Sequence, residues 1–337
     1  VAVNSATAGL HLAVEASGVG PGDSILTSPY TFTATAEVAR YLGAEVVFAD
    51  VGEDDYLIDP VAVERALKAR EGVKAILPVH VGGAVCDMAA LKALAEKNGA
   101  ALIEDAAHSF PSRVPMGMAG AIGDAGVYSF YTTKTITTGE GGMIVTNDSS
   151  MASRMRTMRL HGIDRLAWDR YTSKTAAWRY AVVDAGYKYN MTDVAAAMGR
   201  AQLKRADDLL GMRKKIAARY DEAFADREYL KLPPRSEGHA WHLYALSVVP
   251  GRLSIGRDGF IDKLQERGIG VSVHYIPLHL MPFWASRYGL KPGDFPRALA
   301  RFESEISLPI WPGMTDSMIE RVIGAVLAIG DAAGGKR

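Results

Sequence analysis

Val73-Lys74-Ala75-Ile76-Leu77-Pro78-Val79-His80 is a β-branched and aliphatic run, and after Asp87 it gives way to Met88-Ala89-Ala90-Leu91-Lys92-Ala93-Leu94-Ala95-Glu96-Lys97, an Ala/Leu/Lys-rich helix former. Gly99 then closes the helix, and Ala100-Ala101-Leu102-Ile103-Glu104 is apolar again. Strand, helix, strand in this order, with strands apolar on both faces, predicts parallel strands in a sheet covered by helices. Asp87 suits the helix N-terminus and Gly99 a left-handed C-terminal cap.

The same alternation extends outward from Val1 to about Asn147. Strands are expected at Ser24 to Thr27, Glu45 to Val51, Gly126 to Tyr131 and Met143 to Thr146, with helices at Ser5 to Ala16, Thr33 to Leu42 and Pro60 to Lys68. Gly18 and Gly43 suit left-handed caps, and Asp59-Pro60 suits a helix start. Thr137-Thr138-Gly139-Glu140-Gly141-Gly142 reads as a hairpin-like loop between two strands. A helix over Ser150 to Leu160 precedes an irregular stretch from His161 to Tyr189. Thr192 to Ala225 is strongly helical, with Gly199 and Gly211 as bends, and Pro233-Pro234 reads as a linker. Beyond it, strands at Tyr244 to Val249 and Gly270 to His274, and helices at Gly259 to Arg267 and Asp316 to Ala332, predict a smaller α+β unit. The expected division is 1–208 and 209–337, in line with roughly 150 residues per domain.

Composition narrows the function classes. Lys plus Arg and Asp plus Glu are each 38, so the net charge is zero and no overall basic field invites nucleic acid or an acidic membrane. Arg154, Arg156 and Arg159 read as a solvated or subunit-facing helix surface. The single cysteine, Cys86, fits a reducing cytoplasm, and His80, His161, His274 and His279 lack metal-ligand spacing, so no metal is expected. No apolar run reaches the ~18 residues of a membrane span. The chain begins at Val1-Ala2-Val3-Asn4, already in strand-like sequence.

Three groups of residues carry the chemistry. Asn4-Ser5-Ala6-Thr7-Ala8-Gly9 stands where a strand hands over to a helix, which suits a phosphate on exposed N–H groups, or plain N-capping by Asn4 or Ser5. Ile103-Glu104-Asp105-Ala106-Ala107-His108 puts two acids at the carboxyl edge of a buried strand, where ligands bind in open α/β sheets. A carboxylate there could hold a cationic ring nitrogen and His108 could stack or donate, or both could be cap and core residues. Tyr128-Ser129-Phe130-Tyr131-Thr132-Thr133-Lys134 ends in a lysine enclosed by hydroxyls, 29 residues after Asp105. Desolvation there favours a neutral amine suited to Schiff-base chemistry. Lysine, acid and phosphate cradle together are what pyridoxal phosphate (PLP) requires.

On these residues, with Gly139-Glu140-Gly141-Gly142, Gly186-Tyr187-Lys188-Tyr189-Asn190-Met191-Thr192-Asp193 and Leu308-Pro309, the chain resembles the DegT/StrS-type nucleotide-sugar aminotransferases of PLP fold type I. Within them it is most similar to the UDP-4-amino-4-deoxy-L-arabinose:oxoglutarate aminotransferases, sharing His108 and a run like His239-Ala240-Trp241-His242-Leu243. The resemblance implies a large domain with a mostly parallel seven-stranded sheet and a smaller α+β domain. It implies that Lys134 carries the cofactor and shuttles the proton, and that Asp105 pairs with the pyridine nitrogen. Thr7, Ala8 and Ser129 would hold the phosphate, Phe32 would stack on the ring, and His108 would contact the ring or its O3′ region. Asn190 would reach the neighbouring subunit's site, making a homodimer with shared active sites. The expected reaction moves an amino group from glutamate, leaving 2-oxoglutarate, to a keto carbon of a nucleotide-linked sugar, with a PLP lyase or dehydratase, or a non-catalytic binding protein, as alternatives. Lys134 itself separates the chain from the dehydratase branch, where histidine replaces it. Phe32 in place of Trp, and Pro111 to Met118, depart from the nearest relatives' pattern. Several tens of residues are expected upstream of Val1, including a segment near the sugar site.

Overall fold

Ile25 and Leu26, neighbours on one strand, bury their side chains in different cores, and so do Ile76 and Leu77 and then Leu102 and Ile103. Successive side chains of a strand face opposite ways, so a sheet covered on both faces needs apolar residues at every position. A computed structural model describes residues 1–164 and 180–334, and part of the irregular stretch expected between His161 and Tyr189 lies outside them.

The first half runs β1 (Ala2–Val3), α1 (Ala6–Ala16), β2 (Ser24–Thr27), α2 (Ala34–Tyr41), β3 (Glu45–Phe48), α3 (Pro60–Ala69), β4 (Val73–Leu77), α4 (Met88–Asn98) and β5 (Ala101–Asp105). A two-stranded ribbon of β6 (Arg113–Val114) and β7 (Gly117–Met118) precedes β8 (Ala125–Ser129), β9 (Gly142–Val145) and α5 (Ser149–Met158). The seven-stranded sheet has the order β1-β9-β8-β5-β4-β2-β3. Only β9 runs against its neighbours. The chain is thus α/β with a mostly parallel sheet. Ser5, Asp59 and Asp87 cap α1, α3 and α4 with their side chains, and Gly18, Gly43 and Gly99 take positive φ as expected.

The second half departs from its sequence reading in three places. The helical run breaks into α6 (Asp193–Leu203) and α7 (Ala206–Phe224) at Lys204-Arg205, not at Gly199 or Gly211. Both glycines keep helical geometry, and the expected 208/209 boundary falls in the first turn of α7. A small sheet then joins β10 (Leu230–Lys231), β11 (Tyr244–Val248) and β12 (Glu305–Leu308). Two helices, α9 (Pro282–Tyr288) and α10 (Pro296–Ser304), come between α8 (Arg257–Glu266) and β12, followed by α11 (Asp316–Ala332). Gly270 to His274, expected as a strand, makes only one bridge, Ser272 to Ser307. The chain leaves the ladder because the His274 N–H is taken by the Glu305 carboxylate instead of a neighbouring carbonyl. No helix among the described residues is long and apolar enough to cross a membrane.

Candidate active site

Asp105 closes β5, Ser129 closes β8, Thr31 and Phe32 follow β2, and Ser5 to Thr7 open α1, so parallel strands deliver all of them to one edge of the sheet. There they line a cavity of about 530 Å³ together with His108, Lys134 and, from the second half, His242, His274 and Tyr275. This is the edge where open α/β sheets hold ligands.

Asp105 is held from two sides: the Thr35 hydroxyl donates to Oδ2 at 2.7 Å and the Ala107 N–H to Oδ1 at 3.1 Å. Burial pushes its carboxyl above the ordinary value, while these bonds and the Lys134 charge oppose the shift. Burial brings the Lys134 amine down to about 8, with Asp105 working to raise it and Arg213 to lower it further. A large share of Lys134 is therefore neutral near pH 8, as a nucleophilic amine requires.

Glu104, the other acid, faces away. It is fully buried and accepts from the N–H groups of Gly120 (2.6 Å), Ile122 (2.7 Å) and Gly123 (2.7 Å) and from His80 Nε2 (2.9 Å). Its role is structural, and Asp105, the acid that the family resemblance names, is the one of the pair that lines the cavity.

At the first turn of α1, Ser5 Oγ caps the Ala8 N–H at 3.1 Å. The N–H groups of Ala6 and Thr7 and the Thr7 hydroxyl have no acceptor or donor among the described residues, and both residues face the cavity. Gly142 of β9 lets α1 approach this closely, since a Cβ there would lie 2.8 Å from the Ser5 carbonyl carbon. Free N–H groups at a helix N-terminus are a ready anion site. Ser5 thus does the capping, while the Ala6 and Thr7 N–H groups stay available to an anion. Ser129 lies on the same wall, whereas Ala8 sits behind it with its N–H already donated. Phe32, 58% exposed, offers an uncovered ring to the cavity. Asn190 does not line this chain's cavity; it bridges Val3 on β1.

His108 receives the Gly82 N–H on Nδ1 at 3.2 Å, so its proton belongs on Nε2, which faces Tyr275 Oη at 3.1 Å. Burial first, then the charge of Lys134, keeps it neutral, well below the ordinary histidine value. The His242 ring packs on it at 4.2 Å between centroids. His242, His274, Tyr275 and Thr35 were not singled out from the sequence as site residues. For His242 the signal lay in the His239 to Leu243 run; Thr35 gives none, being one of many helix threonines.

The profile of the DegT/DnrJ/EryC1/StrS aminotransferase family matches residues 1–327. The chain belongs to this family. It is 46% identical over 329 residues to the spore coat polysaccharide biosynthesis protein SpsC of Bacillus subtilis, covering 97% of this chain and 84% of that protein. Among solved structures it superposes on Spr1654 of Streptococcus pneumoniae in its PMP-form with a TM-score of 0.91 at 31% identity, covering 99% of this chain and 88% of the other. PseC of Helicobacter pylori, an aminotransferase involved in the biosynthesis of pseudoaminic acid, gives 0.89 at 27% identity, covering 98% and 86%. Spr1654 has also been solved in its PLP-form. Like the family, this chain is a PLP-dependent aminotransferase, and its cavity fits the cofactor: an acid for the ring nitrogen, a desolvated lysine, and unpartnered N–H groups for the phosphate.

Proposed function

We propose that this aminotransferase moves the amino group of glutamate onto the keto carbon of a nucleotide-linked sugar, with a UDP-4-ketosugar as the first substrate to test. The observation that carries the reading is the convergence of Lys134, Asp105 and the α1 N-terminus on one cavity whose other polar walls are mostly hydroxyls and neutral imidazoles, with Glu140 beside them. Such walls suit an uncharged polyol. The names of SpsC and PseC, which place those proteins in polysaccharide and pseudoaminic acid biosynthesis, support a sugar acceptor.

PLP, when bound, supplies the electron sink that makes the amino-bearing carbon acidic. The chain's own residues supply the rest. Asp105, fixed by Thr35 and Ala107, would keep a proton on the ring nitrogen. Thr7, Ser129 and the free N–H groups of α1 would anchor the phosphate, and Phe32 and His108 would contact the ring. Lys134 Nζ would hold the cofactor and, as a neutral amine, would be the base that moves a proton at the substrate carbon. Release of 2-oxoglutarate before the sugar enters implies ping-pong kinetics.

The enzyme works as a homodimer in this reading, with Asn190 completing the partner's phosphate site. Support comes from α6, which begins three residues after Asn190 and buries none of its residues in the chain's own fold. Its Val194, Met198 and Leu203 are exposed. Incubation with glutamate and a panel of UDP-ketosugars, measuring 2-oxoglutarate and aminated sugar together, tests the assignment. Equal yields of both support it, and no 2-oxoglutarate with any member of the panel sinks it.

A further inference from the structure

One part of the cavity wall plays no part in the chemistry above. His274 lines the cavity and is gripped by backbone and ring alike. Its N–H donates to Glu305 Oε2 at 2.9 Å, and its carbonyl accepts from Tyr30 Oη at 2.6 Å. Its Nδ1 lies 2.9 Å from Ser307 Oγ, and Ser307 in turn donates to Glu305 Oε1 at 2.5 Å. Glu305 and Ser307 are both buried on β12.

The directions of these bonds settle the state of the ring. Burial raises the Glu305 carboxyl to about 7, so above that pH it is a carboxylate that takes the single proton of Ser307, and the Ser307 hydroxyl can then only accept from His274. The ring proton therefore sits on Nδ1, and Nε2 is a bare lone pair with no partner among the described residues. Burial, then the charge of Lys134, holds the imidazole down at about 4, so it stays neutral at working pH. A neutral lone pair accepts a hydrogen bond from a hydroxyl or an amine and offers nothing to a carboxylate or phosphate.

We infer that His274 Nε2 accepts the hydrogen bond of a hydroxyl on the keto substrate, and that Ser307 and Glu305 are positioning residues that hold the ring in the accepting tautomer. The inference rests on the sugar reading above. It makes His274 a specificity determinant for the second half-reaction: a ketosugar lacking that hydroxyl would cover the cavity-facing lone pair without matching it, a mismatch enzymes reject strongly.

The test uses cofactor-loaded enzyme as wild type, Ser307→Ala and Ser307→Thr, with the two half-reactions followed separately by cofactor absorbance. Glutamate drives the first, and UDP-ketosugars, intact or missing one hydroxyl each, drive the second. Ser307→Ala should keep the glutamate half-reaction within about twofold and slow the intact-ketosugar half-reaction by about tenfold or more. Ser307→Thr, which keeps the hydroxyl, should restore it. One deoxy analogue should slow wild type by a similar factor and react equally with wild type and Ser307→Ala. Slowing of both half-reactions alike, or of the glutamate half-reaction alone, would overturn the assignment, the latter placing His274 against the donor's amine. So would a panel in which every deoxy analogue reacts with wild type at the rate of the intact sugar, a result independent of how the variants fold. If wild type takes the amino group from glutamate but gives it to no ketosugar, the sugar reading itself fails and this inference fails with it.

Discussion

Lys134 is one lysine among the 38 basic residues of the chain, and what distinguishes it is its surroundings. Burial lowers its amine to about 8 while Asp105 limits the fall. The neutral amine is the form that captures PLP, so capture by cofactor-free enzyme should speed up as pH rises through about 8 and then level off. Stopped-flow absorbance checks this, and a midpoint near the ordinary lysine value would show a solvated side chain instead. Lys134→Ala should lose turnover and the visible absorbance of the covalently held cofactor together. Asp105→Asn should still bind PLP but lose turnover by at least ~100-fold, because a preorganised charge at the ring nitrogen is removed. Persistent turnover in either variant would contradict the roles given to them.

Among the elements, the turn between β7 and β8 matters most for how the site is held. Glu104 pins it through three backbone N–H groups, and His80 closes the fourth contact. Asp105 is the next residue, so the latch also fixes the end of β5 that presents it. Glu104→Gln should destabilise the fold by about 3 kcal/mol, as breaking a buried charged network does, read from the midpoint of urea unfolding. Burial works to raise the Glu104 carboxyl, but His80 and the N–H donors prevail and hold it below its ordinary value of 4.5. Its folded value lies below the unfolded one, so this stabilisation is complete above about pH 4.5 and is lost as pH falls through the folded value. In Glu104→Gln that part of the acid dependence should vanish. The same packing explains Gly126, where a Cβ would lie 1.9 Å from the Gly120 carbonyl oxygen.

At the scale of the whole molecule, α6 carries Val194 at 77% exposure, a large apolar residue that none of the described residues covers. On the dimer reading a partner covers it. Val194→Asp should then shift the mass measured by light scattering from two chains to one and lower activity with it, because the partner's Asn190 would be lost from the site. An unchanged mass in the variant, or a single-chain wild type with full activity, would refute the arrangement.

Local pattern alone established the parallel sheet, most of its strands to within a few residues, the caps at Asp59 and Asp87, and the grouping of Lys134 with the Glu104-Asp105 pair and the α1 turn. These are properties of consecutive residues: apolar runs, capping side chains, glycines at positive φ, and the rule that parallel strands bring their carboxyl ends to one edge. Tertiary structure supplies the reason that Asp105, the acid named by the family resemblance, and not Glu104 faces the cavity: strand neighbours point to opposite sides and the turn at 120–123 takes up Glu104. It also decided that Gly270 to His274 leaves its ladder, and that His274, Glu305 and Ser307, 33 residues apart at the extremes, form one hydrogen-bonded line. Such contacts join distant segments through side chains that are ordinary in their local sequence, and become visible only once the chain has brought them together.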